Sequence, residues 1–281
     1  MMRAGLVQLC SGDDPVANLP QTIEFIRETA AKGAQIVLTP EVTNCVSSDR
    51  ARQIDVLTHE AGDQTLKALR IEAEALGIWL VIGSLALKTS DPDGRFANRG
   101  FVIGPRGQIA ARYDKMHMFD VTVSEAETYR ESKDYRPGDQ AVICDTDLGR
   151  IGMSICYDLR FAALYRALAK AGAHILTVPA AFSRVTGAAH WEPLLRARAI
   201  ENGAYVLAPA QCGENSKGRA TYGHSLAVSP WGEVLIDGGD APGISLVDID
   251  LAEVASARAR IPSLQHDRAF SGPDIAGEGA V

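Results

Sequence analysis

Short apolar runs rich in β-branched residues alternate with amphipathic stretches along the first two-thirds of this chain. RAGLVQL (Arg3–Leu9) has the composition of a strand, and so does AQIVLTP (Ala34–Pro40). Between them Pro15 to Lys32 repeats its apolar positions at helical spacing and stops at Gly33. Thr65 to Leu76 predicts a second amphipathic helix, stopped at Gly77, and IWLVIGSLAL (Ile78–Leu87) a buried strand. NRGFVIG and GQIAARYDK are joined by the turn GPRG, and AVICDTD and RIGMSICY by a Leu-Gly pair, so two strand pairs follow. Leu159 to Ala171 and His190 to Asn202 predict helices on either side of the strand HILTVPA. AYVLAPA, GHSLAVSP, EVLID and GISLVDID continue as strands, and Leu251 to Arg260 as the last helix.

Strand–helix–strand units interleaved with hairpins imply layered sheets with helices outside. No Gly/Ser/Pro-rich linker divides the chain, which predicts one domain over residues 1–261 and a polar, Gly-rich tail over 262–281. The βαβ rhythm recurs loosely in both halves.

The 281 residues are 46% hydrophobic, enough for a sizeable core, and the formal net charge is −7. That balance argues against a general affinity for nucleic acid or for an anionic membrane surface. IWLVIGSLAL is the longest uncharged apolar run, about half the roughly 20 residues a membrane-spanning helix needs. The N-terminal apolar stretch is too short for the core of a signal peptide. Five cysteines (Cys10, Cys45, Cys144, Cys156 and Cys212) are widely spaced with no C-x-x-C pair. A zinc site is therefore poorly supported, and a reduced, cytoplasmic protein is expected.

Open α/β sheets place reactive groups just beyond the carboxyl ends of their strands. Glu41 stands there after AQIVLTP, and Cys156 after RIGMSI. Lys115, in YDKMHMFD, follows another strand, and Glu131 lies in the charged stretch YRESKDYRPGD. Taken singly, each has a plain alternative: a loop carboxylate, a small buried hydrophobe, a snorkelling lysine, a solvated acid. Together they fit one chemistry. A thiol is mostly protonated at neutral pH. A neighbouring carboxylate can take its proton and return it to a leaving amine. An ammonium and a backbone N–H, such as that of Tyr157 at a helix start, can hold an oxyanion.

The stretches LTPEV, YDKMHMFD, YRESKDYRPGD and GMSICYDLRF occur in the order and at separations that resemble the nitrilase superfamily of carbon–nitrogen hydrolases. The resemblance covers nearly the whole chain. It implies a four-layer α-β-β-α sandwich, with Glu41 as general base, Lys115 as oxyanion stabiliser, Cys156 as nucleophile and Glu131 orienting Lys115 and the substrate. It also implies no metal or organic cofactor, and pairing into a homodimer or higher homo-oligomer through the helical layers. PAAFSRVTGAAHWEPLLRARAIENGAYVLAPAQCG followed by YGHSLAVSPWGEV resembles the branch of deaminated glutathione amidases and ω-amidases, nearer the former. The implied substrate is a small amide of an α-keto dicarboxylate. Tyr157, Arg160, Phe182 and Thr186 then become candidate substrate contacts. For Arg160 an ion pair with Asp158 or another acid remains the alternative. The segment between Phe119 and Glu131, and SRVTG, depart from the usual pattern in ways that touch specificity.

Rival readings explain less. A Cys–His pair could draw on His117, His174, His190 or His224, but leaves Glu41 and Lys115 without a role. GHSLA resembles a nucleophile elbow only superficially, because a strand and hairpin turn, not a helix, follow Ser225. A catalytically idle binding protein would tolerate loss of one of the four residues, and all four are present. The HWE…RARAIE and YGHS segments favour the amidase branch over a true nitrilase, and a carbamyl amidase or an acyltransferase would need its own pocket residues or extra domains.

Overall fold

Residues Met2–Gln8 form the first strand, β1, and send alternate side chains into two different cores. Ala4 and Leu6 join one cluster with Ile36 and Leu38, while Val7 joins another with Val37, Ile26 and Leu69. Period-two alternation normally puts one face in water. Here both faces are apolar and both are covered.

The computed structural model describes residues 1–124, 127–216 and 219–273. After β1 come α1 (Pro15–Ala31), β2 (Ile36–Leu38), α2 (Arg50–Val56), α3 (Gln64–Leu76), β3 (Trp79–Lys88), β4 (Phe96–Ile103) and β5 (Ile109–Asp114). A small hairpin, β6 (Asp120–Ser124) and β7 (Glu127–Arg130), precedes β8 (Ile143–Thr146), β9 (Gly149–Met153), α4 (Ala162–Lys170), β10 (Ile175–Thr177), α5 (Arg184–Asn202) and β11 (Tyr205–Ala208). A second hairpin, β12 (Cys212–Ser216) and β13 (Arg219–Tyr222), is followed by β14 (Leu226–Val228), β15 (Val234–Asp237), β16 (Gly243–Ile249) and α6 (Leu251–Arg260).

Two six-stranded sheets result, in the orders β16-β1-β2-β3-β4-β5 and β15-β14-β11-β10-β9-β8. Each contains a parallel trio, β1-β2-β3 or β9-β10-β11, flanked by antiparallel strands. Helices α1 and α3 cover the first sheet, and α4 and α5 the second. This is the four-layer α-β-β-α sandwich, and the loose βαβ recurrence is the repeat of one pairing pattern in its two sheets. Beyond the parallel strands the sheets are stitched together: Leu9 N donates to Ala210 O, and Cys212 N to Leu9 O.

Local chemistry sets the helix ends. Asp14 accepts from the Val16 and Ala17 amides with Pro15 at the first helical position. Asp63 caps α3, which ends on Gly77 in the left-handed conformation. Helix α5 begins at Arg184, six residues before the expected start at His190. Ser183 caps it through the Thr186 amide, and Gly187 continues it because a Cβ there would meet the Tyr222 ring at 2.3 Å. The stretch SRVTG is thus a helical turn. Leu159 and Arg160 belong to a 3-10 turn ahead of α4, and α2 and the two small hairpins are additional to the expected elements.

Of the expected tail, Ser263 O accepts from Arg166 and Asp267 pairs with Arg166 and Lys170, while Phe270 stands exposed. Residues 274–281 lie outside the described residues. Among the described residues no helix is long and apolar enough to cross a membrane.

Candidate active site

Glu41 sits on a turn pinned to an irregularity in β3. The pairing of β3 with β4 shifts between Ile82 and Leu85. There Ser84 Oγ accepts from Val42 N at 2.8 Å, and Thr43 N donates to Ser84 O. Gly83 permits the approach: a Cβ would stand 2.2 Å from Thr39 O, 2.4 Å from Pro179 Cβ and 2.6 Å from Pro40 O. The strand therefore passes directly beneath the turns following β2 and β10, one from each sheet.

Cys156 opens the 3-10 turn Cys156–Arg160 after β9, with φ +49°. Val42 beside Glu41 also has a positive φ, +46°. Such conformations are costly for residues with a Cβ and persist where the surroundings over-determine them. For Cys156 the Cys156 N–H···O Pro179 bond at 2.9 Å is one such constraint. Asp158 supplies another: its fully buried carboxylate accepts from Ile155 N at 2.9 Å.

The Lys115 ammonium is buried and donates to Glu41 Oε1 at 2.8 Å and to Glu131 Oε1 and Oε2 at 2.9 and 2.8 Å. Asn98 Nδ2 donates to Glu41 Oε1 at 2.9 Å and reaches Glu131 Oε1 at 3.4 Å. Glu41 Oε2 accepts from Ala181 N, and Glu131 Oε2 from Phe119 N. Buried carboxylates need such partners, and here each has donors beyond the lysine. Asn98 opens the stretch NRGFVIG, where a lone amide leading an apolar strand was a signal that sequence reasoning passed over.

Protonation follows from this geometry. Burial pushes the Cys156 thiol well above its ordinary value, and the adjacent Glu41 carboxylate reinforces that against the pull of Lys115. Burial alone would raise Glu41, but the Lys115 charge and hydrogen bonds outweigh it and hold the carboxyl low. Burial would likewise lower Lys115, but the Glu131 and Glu41 carboxylates keep it charged and push its pKa well up. The resting state is a neutral thiol beside an ionised carboxylate and an ammonium, the arrangement for base-assisted thiol attack.

These groups line a cavity of about 290 Å³. Of the eight candidate residues it brings six together: Glu41, Lys115, Glu131, Cys156, Tyr157 and Phe182. Thr186 lies outside the lining, its hydroxyl engaged with Ser183 Oγ at 2.9 Å at the start of α5. Arg160 also lies outside it, its guanidinium over the rings of Tyr157 and Phe182 and 3.3 Å from His190 Nδ1. The alternative of an Arg160–Asp158 ion pair gives way to a different arrangement. Asp158 faces inward and is taken up by Tyr113, His117 and Ile155. Phe119, Tyr129 and Arg219 line the cavity unforeseen, because two of them come from hairpins that have no strong strand signature. Cys45 lines it too, with burial raising its thiol to about 12. Cys212 is fully buried away from it, and Ser225 Oγ accepts from Ala210 N inside the core. Among the described residues no group of three or more His, Cys, Asp or Glu is arranged to hold a metal ion.

A four-layer sandwich with a thiol, two carboxylates and an ammonium converging on one cavity defines a hydrolase of carbon–nitrogen bonds. The chain belongs to the carbon–nitrogen hydrolase family, whose pattern it matches over residues 3–259. Within that family it is an amidase-type enzyme. It is 39% identical to a deaminated glutathione amidase of Yersinia enterocolitica over 95% of this chain and 93% of that one. It is 38% identical to the human deaminated glutathione amidase over 96% of this chain and 82% of that one. The Caenorhabditis elegans NitFhit protein superposes with a TM-score of 0.89 at 34% identity, covering 95% of this chain and 65% of that longer one. An amidase from Nesterenkonia sp. AN1, captured with acrylamide added to its active-site cysteine, superposes with a TM-score of 0.76 at 26% identity, covering 93% and 98% of the two chains.

Proposed function

We propose that the chain hydrolyses the amide bond of deaminated glutathione through a thioester on Cys156. The observation that carries this reading is the Cys156 thiol against the Glu41 carboxylate, with Lys115 and Glu131 in the same cavity. The names of the relatives, matched along 93% and 82% of their length, support the substrate.

In this scheme Cys156 Sγ bonds to the amide carbon as its proton passes to Glu41. Lys115, with the Tyr157 N–H, holds the negative oxygen that develops. Glu41 then gives the proton to the departing nitrogen, the C–N bond breaks and Cys-Gly leaves. Water next loses a proton to Glu41 and attacks the thioester. The C–S bond breaks, the sulfur regains the proton, and α-ketoglutarate departs. Glu131, bonded twice to Lys115, keeps the ammonium charged and aimed. Tyr157 and Phe182 form walls of the site, and Arg160 braces them from behind.

The test is release of α-ketoglutarate from deaminated glutathione and from α-ketoglutaramate, by wild type and by Cys156→Ala. Preference for deaminated glutathione, abolished in the variant, is expected. Preference for α-ketoglutaramate would make the enzyme an ω-amidase. Wild-type rates from Cys156→Ala would remove the thioester from the scheme.

Two further features belong to this reading. Five free thiols suit a reducing, cytoplasmic setting. Pairing of two copies through the helical layers is expected, and light scattering on the purified chain measures it.

A further inference from the structure

The cavity carries more charge than the chemistry uses. Its charged lining comprises Glu41, Glu131, Asp134, Lys115, Arg130, Lys133 and Arg219. Lys115 is shared between the two glutamates, and Asp134 is paired with Arg50 at 2.7 Å. The Arg130 guanidinium donates to Val121 O and Tyr129 O, carbonyls of its own hairpin. Lys133 stands exposed, two residues after Glu131. Arg219 is different: it is half-buried, and its guanidinium lies over the Tyr129 ring at 5.9 Å. Tyr129 comes from the hairpin β6–β7 and Arg219 from β12–β13, so the two small hairpins meet at this pair over the cavity.

A guanidinium held near an aromatic ring by a cation–π contact keeps its N–H groups for other partners, and its planar fork can grip a carboxylate with two hydrogen bonds. The reactive cluster of one ammonium and two carboxylates has a net negative charge. A substrate bearing carboxylates is repelled by that cluster unless a cation elsewhere in the cavity offsets it. Arg219 acts in that sense already, since its charge helps to hold the Glu41 carboxyl low.

We propose that Arg219, set beside the Tyr129 ring, binds the carboxylate that ends the leaving group of the substrate, and so selects a peptide-like leaving group over ammonia. The inference rests on the proposed amidase reading and adds to it the residue that reads the far end of the substrate. A two-residue leaving group places its terminal carboxylate about 7 Å beyond the scissile nitrogen. Cys156 and Arg219 line the same cavity, so a substrate attacked at one end can offer such a group to Arg219. α-Ketoglutaramate has no such group to offer.

The experiment compares kcat/KM for deaminated glutathione with kcat/KM for the same molecule carrying a C-terminal carboxamide, in wild type, Arg219→Gln and Arg219→Lys. In wild type the free carboxylate is expected to be preferred, on the order of tenfold or more, as a charge-assisted pair allows. Arg219→Gln brings the ratio close to one, with the change mostly in KM. Arg219→Lys, which keeps the charge and loses the fork, gives an intermediate ratio and serves if the glutamine variant does not fold. A ratio unchanged in both variants overturns the assignment. A wild type that hydrolyses neither compound removes the amidase reading itself. A wild type that hydrolyses both equally leaves that reading standing and removes only the role of Arg219.

Discussion

Asp158, two residues beyond Cys156, accepts the Tyr113 hydroxyl hydrogen bond at 2.6 Å, and Tyr113 lies two residues before Lys115. The same carboxylate accepts from His117 N at 3.0 Å and His117 Nδ1 at 2.7 Å, two residues after Lys115. One buried acid thus registers the lysine segment against the Cys156 turn from both sides. Asp158→Asn puts an amide N–H among donors. The variant is expected to lose about 1–3 kcal/mol of stability. Its kcat should fall on the order of a hundredfold, as small misplacements of reacting groups do. Urea denaturation and steady-state kinetics check both. An unchanged kcat would show that the register does not depend on this acid.

Gly83→Ala tests the crossing of the two sheets. The added methyl meets two backbone oxygens and Pro179 at well under van der Waals distance, and backbone cannot step aside cheaply. A loss of about 1–3 kcal/mol is expected from overpacking. Activity should fall as well, because the displaced turns carry Glu41 and hold the Cys156 amide. Urea midpoints and the amidase assay on the same preparation provide the check. Retention of both would mean that β3 can shift without disturbing the site.

Lys115→Met leaves Glu41 and Glu131 facing each other across Asn98. Removing one partner of a buried ion cluster is expected to destabilise by about 3–5 kcal/mol. Adding Glu131→Gln to the same chain should recover part of that loss, since only one carboxylate then remains. Denaturation of the single and double variants measures the recovery. Both variants are expected to be inactive.

The pH dependence follows from the signs of the shifts. Glu41 is held below the ordinary carboxylate value of about 4.3. Its stabilising share is complete above that value and is lost as the pH falls through its lower folded pKa. Lys115 is held well above the ordinary lysine value of about 10.4. Its share is complete below that value and is lost only as the pH rises through its higher folded pKa. The acid limb of kcat/KM should therefore lie below about 4.3 where the fold survives. An acid limb near neutrality would point to a base other than Glu41.

The alternation of apolar runs, the helix stops at Gly33 and Gly77 and the turn GPRG are local signals, and they determined most of the strands, the helices and the layered class. The positions of Glu41 and Cys156 just past buried strands were legible for the same reason: a polar group after an apolar run marks a strand end. The early start of α5 was hidden because Gly187 is a poor helix former, tolerated only where the Tyr222 ring leaves no room for a side chain. The hairpins β6–β7 and β12–β13 were hidden because their polar strands carry little apolar alternation, and with them went Tyr129 and Arg219. Asp158, adjacent in sequence to charged and aromatic neighbours, looked like a partner for Arg160. Only packing turned it inward, because Tyr113 and His117 arrive from a different sheet. Local patterning reports which face of an element is buried. Which distant element buries it depends on the crossing of the two sheets at Gly83, and that crossing exists only in the assembled fold.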